Sequence, residues 1–186
     1  MYDVERPPDL EIRRLERKYG KVRWRVARWD QRHVDFRREI EDTPCFGEIV
    51  LLIEDAEGRL AVVRGRGASP GAFDLPTGVI EEAENVEEVA LREALEETGR
   101  RVRLRNLVGI YRVRIRWRAW NLERWFVAFR CLALSETGTP QDIEEIEEVK
   151  FVRIPEEIPG WWPGHEWWGG RWRQQILEDG GVLRRT

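Results

Sequence analysis

The sequence predicts an α+β fold, a mixed β-sheet with one helix in its middle and an extension at each end of the chain. Three observations predict it. Short strand-like runs separated by turn formers begin near Ile49 and recur to about Ile154. A single well-capped helical stretch, Val86 to Thr98, interrupts them. The chain has 186 residues, 41% hydrophobic and 36% charged, which suits one globular core and excludes a disordered polymer.

In chain order, residues 1–44 read as an N-terminal extension. Asp9 is placed to cap a short helix whose Leu10, Ile12 and Leu15 form the apolar side and whose stop is Gly20. Val22, Trp24 and Val26 alternate with Arg23 and Arg25, a strand pattern. Trp29, His33, Phe36 and Ile40 then recur at helical spacing, with Asp30 as a cap; a second strand through Val34 and Phe36 is the rival reading.

Residues 45–158 read as the main domain. Ile49 to Glu54 is an apolar strand, Ala56-Glu57-Gly58-Arg59 a turn, and Leu60 to Val63 the hairpin partner. Gly65 to Gly71 is a loop. Extended pieces at Phe73, Leu75, Val79 and Ile80 surround a Pro76-Thr77-Gly78 turn. Asn85 caps the helix and Gly99 stops it. On that helix Leu91, Ala94, Leu95 and Thr98 form one apolar side, while Val86, Val89 and Ala90 align with the acidic side nearer its start. Val102–Trp117 and Trp120–Leu132 read as long strands joined near Ala119, and Val149–Ile154 as the last strand. Residues 159–186, with five tryptophans, form a C-terminal segment that packs on the domain or on a dimer interface; Trp172 to Leu177 reads as a last helical turn or two.

The chemistry concentrates between residues 78 and 99. Glu93, Glu96 and Glu97 stand at i, i+3 and i+4, so three carboxylates occupy neighbouring positions of one helix face. Like charges at that spacing destabilise a bare helix and call for a positive partner. Clustered carboxylate oxygens suit a hard divalent cation, Mg²⁺ or Mn²⁺, better than zinc.

The spacing Gly78, five residues, Glu84, seven residues, Arg92-Glu93-Ala94-Leu95-Glu96-Glu97-Thr98-Gly99 resembles the Nudix box, G-x5-E-x7-R-E-U-x-E-E-x-G-U with U aliphatic. Two positions depart from it. Arg100 fills the last aliphatic position, with Val102 two residues later as the core substitute, and Thr77 stands where a second glycine is common. The resemblance implies a Nudix-type α/β/α sandwich with a mixed β-sheet. It also implies Mg²⁺-dependent hydrolysis of a pyrophosphate linkage in a nucleoside diphosphate joined to another group, by water attack on phosphorus.

It implies site roles as well. Glu93, Glu96 and Glu97, with the Gly78 carbonyl, would hold the metal. Arg92 would orient a carboxylate, a supporting contact that metal sites need. Glu84 would pair with Arg92 or support the loop. The water's base or orienting group comes, in related enzymes, from the box helix or from an acidic loop before a late strand. Here that leaves Glu96 and the stretch Asp142–Glu148, where strand-like alternation from Glu145 would put Glu145 and Glu147 on one side. Arg64 and Arg66, just after the second strand, are candidates to fork onto phosphate oxygens. Trp117 is a candidate to stack on a base, though aromatics more often supply packing area. The chain lacks the proline of ADP-sugar hydrolases, the tyrosine of dinucleoside polyphosphate hydrolases and the S-Q-P-W-P-F-P-x-S array of NADH hydrolases. Trp117 falls near the tyrosine's place.

Bulk properties narrow the partners. A net charge of -3 and a pI of 5.7 argue against general attraction to nucleic acid, although Arg and Trp interleave at Val22–Arg32 and Arg112–Arg124. No apolar run is long enough for a membrane helix and the N-terminus lacks a signal-peptide layout, so the expected setting is cytoplasmic. Cys45 and Cys131, the only cysteines, read as buried thiols in a reducing compartment. The expected substrate is a small nucleotide-type molecule. A homodimer through the extensions fits fold-level analogy. A nucleotide-sensing or nucleic-acid-binding module with little catalysis is the alternative.

Overall fold

Among the described residues seven strands pair into one mixed sheet, in the order Trp24–Asp30, Val102–Trp117, Trp120–Ala133, Gly47–Glu54, Leu60–Gly65, Ile146–Val152, with Thr77–Ile80 paired to Gly47–Glu54 off this path. The computed structural model describes residues 9–20, 24–30, 47–68, 70–81, 84–117, 120–135, 138–153 and 175–182. The elements are α1 (Asp9–Tyr19), β1 (Trp24–Asp30), β2 (Gly47–Glu54), β3 (Leu60–Gly65), β4 (Thr77–Ile80), α2 (Val86–Thr98), β5 (Val102–Trp117), β6 (Trp120–Ala133) and β7 (Ile146–Val152). A short helical turn follows at 175–179.

Strand β2 is central. It runs parallel to β6 on one edge, and its other edge is shared by β4, antiparallel along Gly47–Val50, and by β3, which it meets at Glu54. Ile49, Leu51 and Ile53 of β2 join Ile80, Val86, Val89, Ala90, Ala94, Val127 and Phe129 in the main core, under α2 and α1. The opposite face of β2 meets the C-terminal turn: a side chain built at Gly180 would strike Leu52, and Arg130 donates to the Gly180 carbonyl at 2.9 Å while also pairing with Glu54. Tyr111, fully buried, donates from its hydroxyl to Asp179 at 3.1 Å. With both faces covered, β2 reads as an almost unbroken apolar run, as such strands do. The α+β, three-layer architecture is the one predicted.

Several boundaries differ from expectation. Trp29 and Asp30 lie in β1, which pairs in parallel with β5 from Trp24↔Ile110 to Asp30↔Arg116, so the stripe is not helical at Trp29. Pairing across more than eighty residues overrides a local helical stripe. The rest of that stripe, with His33, Phe36 and Ile40, lies outside the described residues, as do Cys45, His165 and the tryptophans at 161, 162, 167, 168 and 172. Strand β7 starts at Ile146 and ends at Val152 rather than running from Val149 to Ile154, because Arg64 on β3 neutralises its acidic start, donating to Glu147 at 2.7 Å and to Glu148 at 3.0 Å. Leu91 is 43% exposed; the buried side of α2 runs instead through Val86, Val89, Ala90, Ala94 and Thr98. Cys131 is a free thiol buried in the core, and burial pushes it up to about 12. Among the described residues no helix is long and apolar enough to cross a membrane.

Asn85 has the extended backbone of a cap, and its side chain accepts from the Glu87 and Glu88 amides. Replacing such a cap with Ala costs about 1 kcal/mol. The first turn of α2 is further held by α1. Glu87, only 8% exposed, takes Lys18 at 2.7 Å together with the Arg14 guanidinium and the Tyr19 hydroxyl. Tyr19 also packs edge-on to Phe129, ring centres 5.7 Å apart. Burial pushes the Glu87 carboxyl up, but the bonds from Lys18, Tyr19 and Arg14 outweigh it and hold the group down at about 2.

That depressed value has a stability consequence. The stabilisation is present above about 4.5, the ordinary carboxylate value, and is lost as pH falls through about 2. Urea unfolding between pH 2 and 6 is expected to show stability falling with acid across this window. Glu87→Gln is expected to be less stable at pH 6 and to show a flatter slope across the window.

Candidate active site

The site is built where β4 meets the second half of α2. Glu93 and Glu97 extend the buried stripe of the helix by one and two turns beyond Val89 and Ala90, so their carboxylates lie on the packed side. Packing is possible because Gly78 has no side chain: a Cβ there would collide with Cγ and Cδ of Glu93. Next to it the Thr77 amide donates to Glu97 Oε2 at 2.9 Å. Thr77, at the position where a second glycine is common, thus contributes its backbone.

Glu93 has a side chain 13% exposed. Burial pushes it up to about 7; Arg92 opposes this, and Glu96 and Glu145 add to it. Burial also drives Glu97 well above the usual carboxylate range, against the Thr77 hydrogen bond and with Glu93, Asp74 and Glu145 adding repulsion. Five carboxylates, Asp74, Glu93, Glu96, Glu97 and Glu145, therefore share one field. Arg92 bridges Glu93 at 2.8 Å and Glu96 at 2.9 Å through one nitrogen, and lies 3.7 Å from Glu84. Glu84 also accepts from the Glu81 amide at 2.8 Å, closing the loop before α2.

The sequence-predicted residues separate into two groups. Gly78, Arg92, Glu93, Glu96, Glu97 and Glu145 come together. Glu147 does not join them; it is bound to Arg64. The pairing shifts between Arg64 and Gly65, opposite Glu148 and Ile146 respectively, so Glu147 sits in a bulge. Residue 145 precedes the strand in a turn, its amide held by Asp142 Oδ1 at 3.0 Å. The alternation expected from Glu145 begins one residue later, and Glu145 and Glu147 part company. Arg66 donates to the Ile143 carbonyl at 2.6 Å. Trp117 closes the β5–β6 hairpin opposite Trp120, remote in the pairing from β4. Asp74 was not among the candidates; it arrives through a lone bridge between its backbone and Val63, a contact without a local signal.

The helix end is keyed to the acidic loop. Gly99 has φ +67°, the left-handed cap, and its amide donates to the Leu95 carbonyl at 2.8 Å. A Cβ on Gly99 would strike the Thr139 backbone. The Gln141 and Asp142 amides donate to the Glu96 carbonyl at 2.8 and 3.1 Å. Arg100, in place of the aliphatic residue, stacks its guanidinium over Phe151 at 4.4 Å and donates to the Ser135 carbonyl at 2.6 Å, while Val102 is buried.

The donors are all carboxylate oxygens, partly desolvated and mutually repelling, and a divalent cation suits them. Among the described residues no three acidic, His or Cys side chains converge as a ready-made cage, since Arg92 holds Glu93 and Glu96.

A family model for the NUDIX domain matches residues 47–168. The chain belongs to the Nudix family. As a member it is an enzyme of the Nudix pyrophosphohydrolase type, a class that uses divalent metal and small nucleotide substrates. A protein described as MutT-like, from Streptomyces ambofaciens, is 34% identical over 126 residues, covering 60% of this chain and 74% of that protein. Among solved structures, a UDP-X diphosphatase superposes with TM-score 0.50 at 20% identity, over 80% of this chain and 72% of that one. A NUDIX hydrolase from Nitrosomonas europaea gives TM-score 0.50 at 21% identity, over 75% and 90%. These two similarities bear on the fold.

Two glycine substitutions are expected to differ. Gly99→Ala meets backbone and a left-handed conformation, and should cost at least about 1–2 kcal/mol, lowering the melting temperature by roughly 2–8 °C. Gly78→Ala meets Cγ and Cδ of the mostly buried Glu93 side chain, not backbone. It should lower the melting temperature less than Gly99→Ala while displacing Glu93, which loss of Mn²⁺ binding, followed by electron paramagnetic resonance, would report.

Proposed function

We propose that this Nudix enzyme hydrolyses a pyrophosphate linkage in a nucleoside diphosphate joined to another group, with Mg²⁺ as the metal and Mn²⁺ as a substitute. The observation that carries this is the placement of Glu93 and Glu97 on the packed side of α2, against the side-chain-free Gly78, with Glu145 close enough to raise both carboxyls.

Glu93, Glu96 and Glu97, with the Gly78 carbonyl, are the metal-holding residues in this reading. Arg92 engages Oε1 of Glu93 and Oε2 of Glu96, which leaves each carboxylate its second oxygen for an ion. When bound, the ion offsets negative charge on the diphosphate and lowers the pKa of a bound water. Arg92 then supports Glu96 from outside, and its link to Glu84 keeps it beside the helix. Glu145 takes the proton of the attacking water as its oxygen bonds to phosphorus; the anhydride P–O bond breaks and the departing phosphate keeps the electron pair. Thr77 contributes its amide to keep Glu97 aimed inward. Arg64, tied to Glu147 and Glu148, would reach a phosphate only by leaving both. Trp117 would serve as a stacking surface only for a substrate long enough to reach the hairpin end.

The reading is tested with a panel of nucleoside triphosphates, ADP-ribose, NADH, nucleotide sugars and diadenosine polyphosphates, assayed for phosphate and nucleotide release in Mg²⁺ or Mn²⁺. Turnover of one class is expected, with Glu97→Gln reducing kcat by at least about a hundredfold. Absence of metal-dependent turnover on every member, with Mn²⁺ still bound, would replace the hydrolase by a nucleotide-sensing module.

A further inference from the structure

Arg66 lies just beyond β3, exposed, alongside the turn at 142–145. Two of its groups grip that turn. Its guanidinium Nη2 donates to the Ile143 carbonyl at 2.6 Å, and its backbone amide donates to the Glu145 carbonyl at 2.7 Å. From within, Asp142 accepts the Glu145 amide on its carboxylate at 3.0 Å and the Ile146 amide on its carbonyl at 2.9 Å. At its start the turn hangs from the Glu96 carbonyl through the Gln141 and Asp142 amides. Both backbone groups of Glu145 are thus tied, one by Asp142 and one by Arg66.

Apolar packing does not hold the tip. Ile143 is 62% exposed and Glu144 is exposed as well, so polar contacts fix the turn. Among the described contacts, the Arg66 side chain reaches from just beyond β3 to the tip at Ile143. Its guanidinium donates to a neutral carbonyl, unlike that of Arg64, which is already matched to two carboxylates.

We infer that Arg66 is a positioning residue, which sets where the Glu145 carboxylate stands relative to Glu93 and Glu97 by clamping the turn at Ile143, in place of contacting substrate phosphate. The inference rests on the role proposed for Glu145. It requires that the effect of Arg66 pass entirely through Glu145.

The test uses the full chain carrying Arg66→Ala, Arg66→Lys, Glu145→Gln and the double variant Arg66→Ala with Glu145→Gln. Steady-state kinetics use the panel nucleotide of highest turnover in Mg²⁺, and amide hydrogen exchange is followed at 141–146. Misplacement of a reacting group by about an ångström, or loss of a supporting contact, costs about 10- to 100-fold. Arg66→Ala is therefore expected to lower kcat by that factor with KM changed less than about twofold, and to speed exchange at 143–146. In the Glu145→Gln background it should cost less than about twofold more, since the group it positions is gone. Arg66→Lys, which keeps a donor for the Ile143 carbonyl, should recover part of kcat. A rise in KM with kcat retained would make Arg66 a phosphate contact and overturn the inference. Additive losses in the double variant would do the same, as would wild-type kinetics of Glu145→Gln. If no nucleotide turns over, the hydrolase reading fails separately, and unchanged exchange at 143–146 in Arg66→Ala would still sink the clamp.

Discussion

The structure is organised around an unfavourable placement: two carboxylates, Glu93 and Glu97, on the side of α2 that faces the sheet. An uncompensated buried charge costs several kcal/mol, and one hydrogen bond to a charged group returns about 1.5–3 kcal/mol. The Thr77 amide and the Arg92 guanidinium therefore lessen the penalty without removing it, and both carboxyls remain above their ordinary range. The rest of the fold keeps the pair from relieving itself by moving. β4 abuts them through a glycine, α2 is capped at both ends, and the turn at 141–145 locks onto the helix terminus and adds a further carboxylate. The remaining demand for positive charge is what a bound cation satisfies.

How much of this could be read from the chain follows from the range of each interaction. The three glutamates, their helix, its Asn85 cap and its Gly99 stop are local, and covalent spacing fixes them. The role of Gly99 at the Thr139 backbone is not local, although its identity is. Leu91 misleads because α2 is apolar on more than one side, and only packing against β2, β4 and β5 decides which side is buried. Glu87 reads as an ordinary acid favouring a helix N-terminus. Its burial depends on Arg14, 73 residues away. Arg64 and Arg66 look alike in the sequence, two residues apart, yet a register shift between β3 and β7 gives one to carboxylates and the other to a carbonyl. Asp74 and the β1–β5 pairing carry no local signal at all.

The coverage of β2 on both faces explains why the extensions matter to the centre. α1 and α2 share one core with Ile49, Leu51 and Ile53, so the helix carrying the glutamates is clamped at its first turn by the N-terminal segment. The C-terminal turn seals the other face at Leu52. A displacement of either cover would be felt one layer away, at the end of β2 that pairs with Thr77 and Gly78.

The partners of that N-terminal clamp also impose an order on assembly. Arg14, Lys18 and Tyr19 precede Glu87 by 68 to 73 residues, and β1 pairs with a strand further on still. Contacts at such separation carry a loop-closure cost that must be met before they form. During synthesis the segment that steadies the catalytic helix emerges well before anything it can bind. It is therefore made early and docked late, α1 after α2 exists and β1 after β5 exists, and until then the chain carries an amphipathic helix and a strand without its partner.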